Sequence, residues 1–156
     1  MSAGLRFRYA LAPVLLTRQW DLDALLLELG EQNAAIAAQA SKQAQVADLT
    51  ADARAAWHAR NAAGAVQSVD QFVLATRYMG DLARKGREQA AHMAELATAR
   101  DALIERVVGA QRKVEAAERH RDAMQARFVQ QRLSGDFKIA DDQWNTLQSG
   151  LAANGS

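Results

Sequence analysis

Apolar residues recur at every third or fourth position through nine consecutive heptads in the second half of the chain. With position a of the first heptad at Phe72 and position d at Ala75, 13 of the 18 a and d positions up to Gln131 are apolar. A heptad pattern of this length predicts a helix that buries a narrow seam in a coiled coil. The chain is therefore expected to be all-α.

The first half carries a second, weaker heptad series. Its a positions are Leu15, Leu22, Leu29, Ile36, Gln43, Thr50 and Trp57. Its d positions are more polar and include Arg18, Gln32 and Gln39. The only proline, Pro13, stands where a helix can begin, because the first turn tolerates a residue without a backbone N–H. These features predict a first helix over about residues 13–63.

A short connection separates the two series. Gly64 follows the first helix, and Ser68 and Gln71 have the spacing of a capping box, in which each side chain bonds the backbone N–H of the other residue. Such a cap stabilises a helix by roughly 1 kcal/mol. We therefore expect a turn over about residues 64–67 and a second helix over about 69–133.

Folding the second helix back on the first aligns polar residues with polar residues. In one antiparallel register Gln43 faces Gln89, and Gln32 faces Arg100. The same register places Ile36 against Leu96, Val46 against Gly86, Trp57 against Ala75 and Arg60 against Phe72. Buried polar pairs often fix register at some cost in stability. The predicted fold is a long antiparallel two-helix coiled-coil hairpin, with residues 1–156 forming a single domain.

Residues 134–156 are predicted to form a short tail after the hairpin. Ser134 and Gly135 directly follow Leu133 and are expected to interrupt helix two. Either Asp141 or Asp142 is placed to cap a short C-terminal helix that carries Trp144 and Leu147.

Composition agrees with long, narrowly packed helices. The chain has 35 alanines, and only 6% of its residues are aromatic, so much of its 49% hydrophobic content consists of small side chains. Alanine is also the strongest helix former. The absence of cysteine excludes disulfides and thiolate metal sites.

Charge and hydropathy exclude further classes. The net charge of +1 is too small for the dense basic face that nucleic acid requires. Arg6 and Arg8 precede an apolar run that is too short for a signal peptide. No segment approaches the roughly 20 apolar residues that span a bilayer. We therefore expect a soluble cytoplasmic protein with no direct membrane insertion.

Apolar residues without a partner in the predicted seam are concentrated at the end of the hairpin opposite the turn. Leu16, Trp20 and Leu27 form a second stripe on helix one, and Met124 and Phe128 lie where helix two extends beyond helix one. Residues 1–12 are long enough to cover Met124 and Phe128. The stripe on helix one is either covered by a third helix, such as the C-terminal one, or free to bind a partner.

No arrangement of residues suggests catalysis. His92 and His120 both occupy g positions four heptads apart, so they cannot share a metal, and His58 stands alone. Asp141 and Asp142 are adjacent and would point apart on a helix. There is no glycine-rich phosphate-binding loop. We predict no catalytic residues, no cofactor and no metal site, and the chain is not expected to be an enzyme.

Several stretches together give the chain a family resemblance that covers nearly its whole length. They are RYALAPVLLTRQ leading into DLDALLLELGEQ, Gln71-Phe72 at the start of helix two, and ERHRDAMQARFVQQR before a short tail with Trp144. In this layout the chain resembles the FliJ/YscO/HrpO-type stalk proteins of flagellar and type III secretion export machines. The overhang and tail look most like the plant-pathogen branch.

The resemblance implies a function and a set of partners. Family members are antiparallel coiled coils, similar to the central stalk of rotary ATP synthases, and are not themselves enzymes. One end enters the pore of a hexameric export ATPase and promotes ring assembly and ATP hydrolysis. The other end points toward the export gate in the membrane, and secretion chaperones also bind. The location implied is cytoplasmic, peripheral to the inner membrane at the secretion apparatus.

The stalk interpretation assigns contacts to named residues. The ATPase ring would be bound by Leu16, Trp20, Leu27, Met124 and Phe128. The export gate would be bound by Gln71, Phe72 and Met79, of which only Gln71-Phe72 matches a family-like position.

Two other classes remain open. A generic coiled-coil scaffold or holdase chaperone would grip unfolded clients with its apolar end and would leave ATP hydrolysis unchanged. A protein that coats membranes or granules would float with liposomes, but acidic residues interleaved with the basic ones disfavour this class.

Overall fold

A computed structural model describes residues 5–62, 64 and 68–155, and these residues form two α-helices and no strand. Helix α1 spans Ala12–Ala62 and helix α2 spans Val69–Ala153. Both helices begin within a residue of the predicted positions. The fold is all-helical, with two long helices that pack against each other, as the sequence predicts.

The predicted helix starts have the expected local chemistry. Pro13 lies in the first turn of α1, where no backbone N–H is needed. At the start of α2, the Ser68 hydroxyl accepts from the Gln71 backbone N–H at 3.2 Å, and the Gln71 side chain accepts from the Ser68 N–H at 3.4 Å. The capping box is thereby confirmed. Gly64 has a φ of 63°, a left-handed conformation that favours glycine. The rest of the predicted turn, at residues 65–67, lies outside the described residues.

The chain divides into two compact units, and each helix contributes to both. The terminal unit comprises Met1–Leu22 and Gly109–Ser156, and the central unit comprises Asp23–Val108. Within each unit the two helices run antiparallel. In the central unit, for example, Gln32 contacts Leu96 while Trp57 contacts Phe72.

The heptad assignment predicts which residues are covered. Every a and d position from Leu15 to Trp57, and from Ala75 to Phe128, is buried or half-buried. Outside these positions, the same two stretches contain four further half-buried residues, namely Gln19, Ala97, Gly109 and Glu118. The small area that alanine offers explains why the fully buried apolar set is short: Leu15, Val46, Leu82, Val107, Val114 and Ala117.

The predicted interruption after Leu133 is wrong. Helix α2 continues through Ser134, Gly135 and Asp136, so the C-terminal segment belongs to α2 and is not a separate short helix. A glycine inside a helix costs about 1 kcal/mol relative to alanine, which weakens a helix without ending it. Ending a helix at a glycine commonly uses a left-handed conformation. Gly64 adopts one, but Gly135 does not.

Candidate partner-binding surfaces

The terminal unit is built around a small apolar core. Leu15 of α1 packs with Val114 and Ala117 of α2, and Tyr9 and Leu22 lie against this cluster. The Arg18 guanidinium crosses the seam and donates to the Lys113 backbone oxygen at 3.1 Å. This hydrogen bond to a backbone oxygen explains how the charged side chain of Arg18 is accommodated at a d position of the seam.

The segment before α1 packs onto α2. The rings of Phe7 and Phe128 lie 5.6 Å apart, and the Tyr9 hydroxyl is 2.7 Å from Nδ1 of His120. The Tyr9 and His120 rings are also 5.6 Å apart. Of the two interpretations of Met124 and Phe128, the structure thus favours cover by the N-terminal segment, and both residues are half-buried. His120 is exposed but contacts Tyr9, a contact that its g position in the heptad series did not indicate.

The remaining predicted ring contacts are free of cover. Leu16 and Trp20 occupy successive turns of α1 in the terminal unit, and 62% of the Trp20 surface is exposed. Leu27 is also exposed, but it belongs to the central unit. The C-terminal segment does not cover Leu16 or Trp20, because every residue from 131 to 155 is itself exposed. Of the five predicted ring contacts, Leu16 and Trp20 are therefore exposed in the terminal unit, and Met124 and Phe128 are half-buried there. Leu27 is exposed in the central unit.

The central unit has a polar seam. Gln39 is only 5% exposed and donates to the Gln89 backbone oxygen at 3.2 Å, and Gln32 donates to the Leu96 oxygen at 2.9 Å. A helical carbonyl points toward the C-terminal end of its helix, so the Leu96 oxygen lies on the side of Arg100, the predicted neighbour of Gln32. The Arg100 side chain instead pairs with Asp101.

A groove of about 420 Å³ lies beside this seam. Val46, Leu82, Gly86 and Gln89 contribute to its lining. A Cβ at Gly86 would meet nothing within 4 Å, so there is open space at the position that the predicted register sets against Val46. The side-chain oxygen of Gln89 is buried and has no hydrogen-bond partner among the described residues.

The three predicted gate contacts lie near the start of α2. Gln71 is engaged in the capping box, Met79 is half-buried in the seam, and Phe72 is half exposed. The Phe72 ring lies 5.4 Å from the Trp57 ring. Phe72 therefore offers the most free apolar surface of the three.

A further uncovered apolar surface, not predicted from the sequence, lies at the C-terminal end of α2. From residue 131 to 155 every residue is exposed, including six large apolar side chains. They are Leu133, Phe137, Ile139, Trp144, Leu147 and Leu151. The predicted helix break concealed this surface, because it divided one continuous helical face between two elements.

The described residues contain no group of three or more potential metal ligands. Their ion pairs are exposed, and most join neighbours on one helix, apart from Arg106 and Glu28 at 3.8 Å within the central unit. Such pairs contribute little to stability. Neither described helix has an apolar stretch long enough to cross a bilayer.

No protein-family model matches the chain. Comparisons with curated proteins and with solved structures find no match either.

Proposed function

We propose that this chain is the non-enzymatic central stalk of a type III secretion export ATPase. Its two helices form an antiparallel coiled coil, promote assembly of the hexameric ring and its ATP hydrolysis, and link the ring to the membrane export gate. The observation that carries the proposal is the exposed pair Leu16 and Trp20 on a helix whose own seam is already covered. Contiguous apolar surface left outside a packed seam marks a binding site.

Leu16 and Trp20 make most of the proposed contact with the ATPase ring. Met124 and Phe128 are half-buried, and Phe7 covers part of Phe128, so they offer less free area than Trp20. Tryptophan is also among the residues that contribute most to protein interfaces when truncated to alanine. Leu27 is a further ring contact from the central unit.

The gate contact is proposed at the start of α2. Phe72 carries most of it, because Gln71 already closes the capping box and Met79 is half-buried in the seam. The protein acts in the cytoplasm, peripheral to the inner membrane at the secretion apparatus. The secretion system is of the plant-pathogen branch, where secretion chaperones are further partners.

The test is the ATP hydrolysis rate of the cognate secretion ATPase with and without the purified chain. The native chain is expected to stimulate hydrolysis and to increase the hexameric fraction. Trp20→Ala is expected to lose most of this stimulation while circular dichroism shows unchanged helicity. Leu74→Ala is the matched control, since Leu74 is 66% exposed but lies in the central unit near the proposed gate end.

The outcomes separate the function from its contact residues. Absence of stimulation and of ring assembly by the native chain contradicts the stalk function itself. Equal stimulation by the native chain and Trp20→Ala keeps the stalk and removes Trp20 from the ring contact.

A scaffold or holdase chaperone is the second candidate. The exposed apolar side chains of residues 131–155 favour it, because such a surface suits unfolded clients. A holdase suppresses aggregation of a denatured model protein in proportion to its concentration, and it leaves the ATPase rate unchanged. This pair of results would replace the stalk proposal.

A further inference from the structure

The uncovered end of α2 carries a regular apolar stripe. Its members are Leu133, Phe137, Ala140, Trp144, Leu147 and Leu151, all exposed, and we call them the C-terminal stripe. Their spacing alternates between four and three residues, which is the spacing of a coiled-coil seam. These residues therefore have the pattern of a helix interface, yet each of them is exposed among the described residues.

The C-terminal stripe is not a continuation of the covered seam. At 3.6 residues per turn, Leu133 lies roughly opposite the side of α2 on which the last covered seam residues, Met124 and Phe128, are placed. A helix that covers the face with Met124 and Phe128 could not also cover the C-terminal stripe on the opposite face. A different helix is required.

The stripe is complementary to a reversed copy of itself. In an antiparallel pair about its midpoint, Leu133 meets Leu151 of the other copy and Phe137 meets Leu147. Ala140 meets Trp144, so the largest side chain lies against the smallest. Facing large with small residues fills a helix interface evenly. A parallel pair would instead place tryptophan on tryptophan and leave space between two alanines.

Flanking charges also favour the antiparallel arrangement. In a parallel pair, Asp136 of each copy faces Asp141 of the other, which gives two like-charge contacts. In the antiparallel pair, Asp141 of one copy faces Asp141 of the other, which gives a single like-charge contact. Like charges in these positions weaken association.

The available area suits a weak, specific dimer. Each copy offers two aromatic rings, and an aromatic side chain buries ~150–250 Å² when fully covered. With three leucines added from each copy, the total is on the order of 1,000 Å², at the lower end of specific interfaces. We propose that a second copy of this chain covers the C-terminal stripe in the antiparallel register that sets Ala140 against Trp144.

The first test is analytical ultracentrifugation of the full chain from about 5 to 200 µM, a range suited to interfaces of this size. The 17.0 kDa monomer is expected to convert reversibly to a dimer. Leu147→Lys is expected to weaken the dimer at least tenfold. Thr146→Lys, one residue away but directed outward, is the matched control and should leave association unchanged. Because residues 131–155 are all exposed, Leu147→Lys should not affect folding of the monomer.

The second test uses the absence of native cysteine. A Leu133→Cys/Leu151→Cys variant is expected to form intermolecular disulfides under mild oxidation. The matched control is Lys138→Cys/Thr146→Cys, a pair at equivalent heights in this register but on the outer face. Disulfides require Cβ atoms about 3.5–4.5 Å apart, so the control should remain largely reduced.

Three results would overturn the pairing. One is a monomer at every concentration. Another is association that Leu147→Lys leaves unchanged, or that proceeds beyond two copies. The third is efficient cross-linking of the single variants Leu133→Cys and Leu151→Cys, which requires a parallel arrangement.

Discussion

Two parts of α2 use the same spacing of apolar residues but differ completely in cover. Between residues 75 and 128 every a and d position is buried or half-buried against other parts of the chain. Between residues 131 and 155 every residue is exposed, although the C-terminal stripe has larger side chains than much of the covered seam. Spacing therefore predicts that a helix has an interface, but not whether the same chain supplies the other half.

The two parts also differ in how polar residues are treated. The covered seam, which α2 shares with α1, includes Gln89 and Arg100 of α2 and Gln39 of α1, and Gln39 donates a hydrogen bond to the Gln89 backbone oxygen. The C-terminal stripe contains no polar residue from Leu133 to Leu151. A seam formed within one chain has its partner at a fixed position, so it can carry polar residues that set register at some cost in stability.

The largest contrast is expected from removing one leucine in each part. Leu82 is 5% exposed, so Leu82→Ala should lower the free energy of unfolding by about 2–5 kcal/mol, through lost burial and the cavity that remains. Leu147 is 64% exposed, and Leu147→Ala should change it by less than about 0.5 kcal/mol.

Urea denaturation followed by circular dichroism measures both values, at a concentration low enough to keep the chain monomeric. Comparable losses at the two positions would mean that residues near Leu147 pack against the same chain, and the contrast would be wrong.

The second prediction concerns the buried side-chain oxygen of Gln89. Because it has no partner among the described residues, Gln89→Leu should raise the free energy of unfolding by about 1–2 kcal/mol. The Gln39 hydrogen bond survives, since it is made to the Gln89 backbone. Gln125→Leu on an exposed position of α2 is the control for a general effect of leucine and should be nearly neutral. A lower denaturation midpoint for Gln89→Leu would show that this amide is satisfied.

Much of the fold could be predicted because helices depend on local features. Pro13 and the Ser68–Gln71 cap placed both helix starts, and the heptad spacing identified the covered residues. The end of α2 could not be predicted in the same way, because Gly64 and Gly135 look alike in sequence. Only Gly64 adopts the left-handed conformation, and a capping box follows it before the next helix begins.

The candidate site was harder to predict than the fold. Leu16 and Trp20 could be identified as off-seam residues, and their exposure agrees with that interpretation. The contact between Tyr9 and His120 could not be predicted, because Tyr9 lies in a non-helical segment whose path has no periodicity to follow. The C-terminal stripe was missed for a different reason, since assuming a break at Ser134 removed the continuity that makes its spacing visible.

The third prediction places one substitution in both parts of α2. Gly86→Ala should raise the free energy of unfolding by about 1 kcal/mol, because alanine favours the helix and a Cβ there meets nothing within 4 Å. Gly135→Ala has the same local effect, with equal space, but residues beyond 131 are not coupled to the packed seam. It should increase amide hydrogen-exchange protection of residues 131–153 and leave the denaturation midpoint unchanged. An equal rise in the midpoint for both variants would remove the distinction between the two parts.

The smallest expected effect tests the N-terminal segment that covers the end of the seam. Tyr9→Phe keeps the ring against His120 but removes the hydroxyl, so the free energy of unfolding should fall by about 0.5–1.5 kcal/mol, the usual net value of one hydrogen bond. Tyr78→Phe is the matched control, since no hydrogen bond of the Tyr78 hydroxyl is seen in the described residues and its side chain is half exposed. Equal denaturation midpoints for the two variants would mean that the Tyr9–His120 hydrogen bond adds nothing to stability. The N-terminal segment would then be held by its apolar packing, including the Phe7–Phe128 and Tyr9–His120 ring contacts.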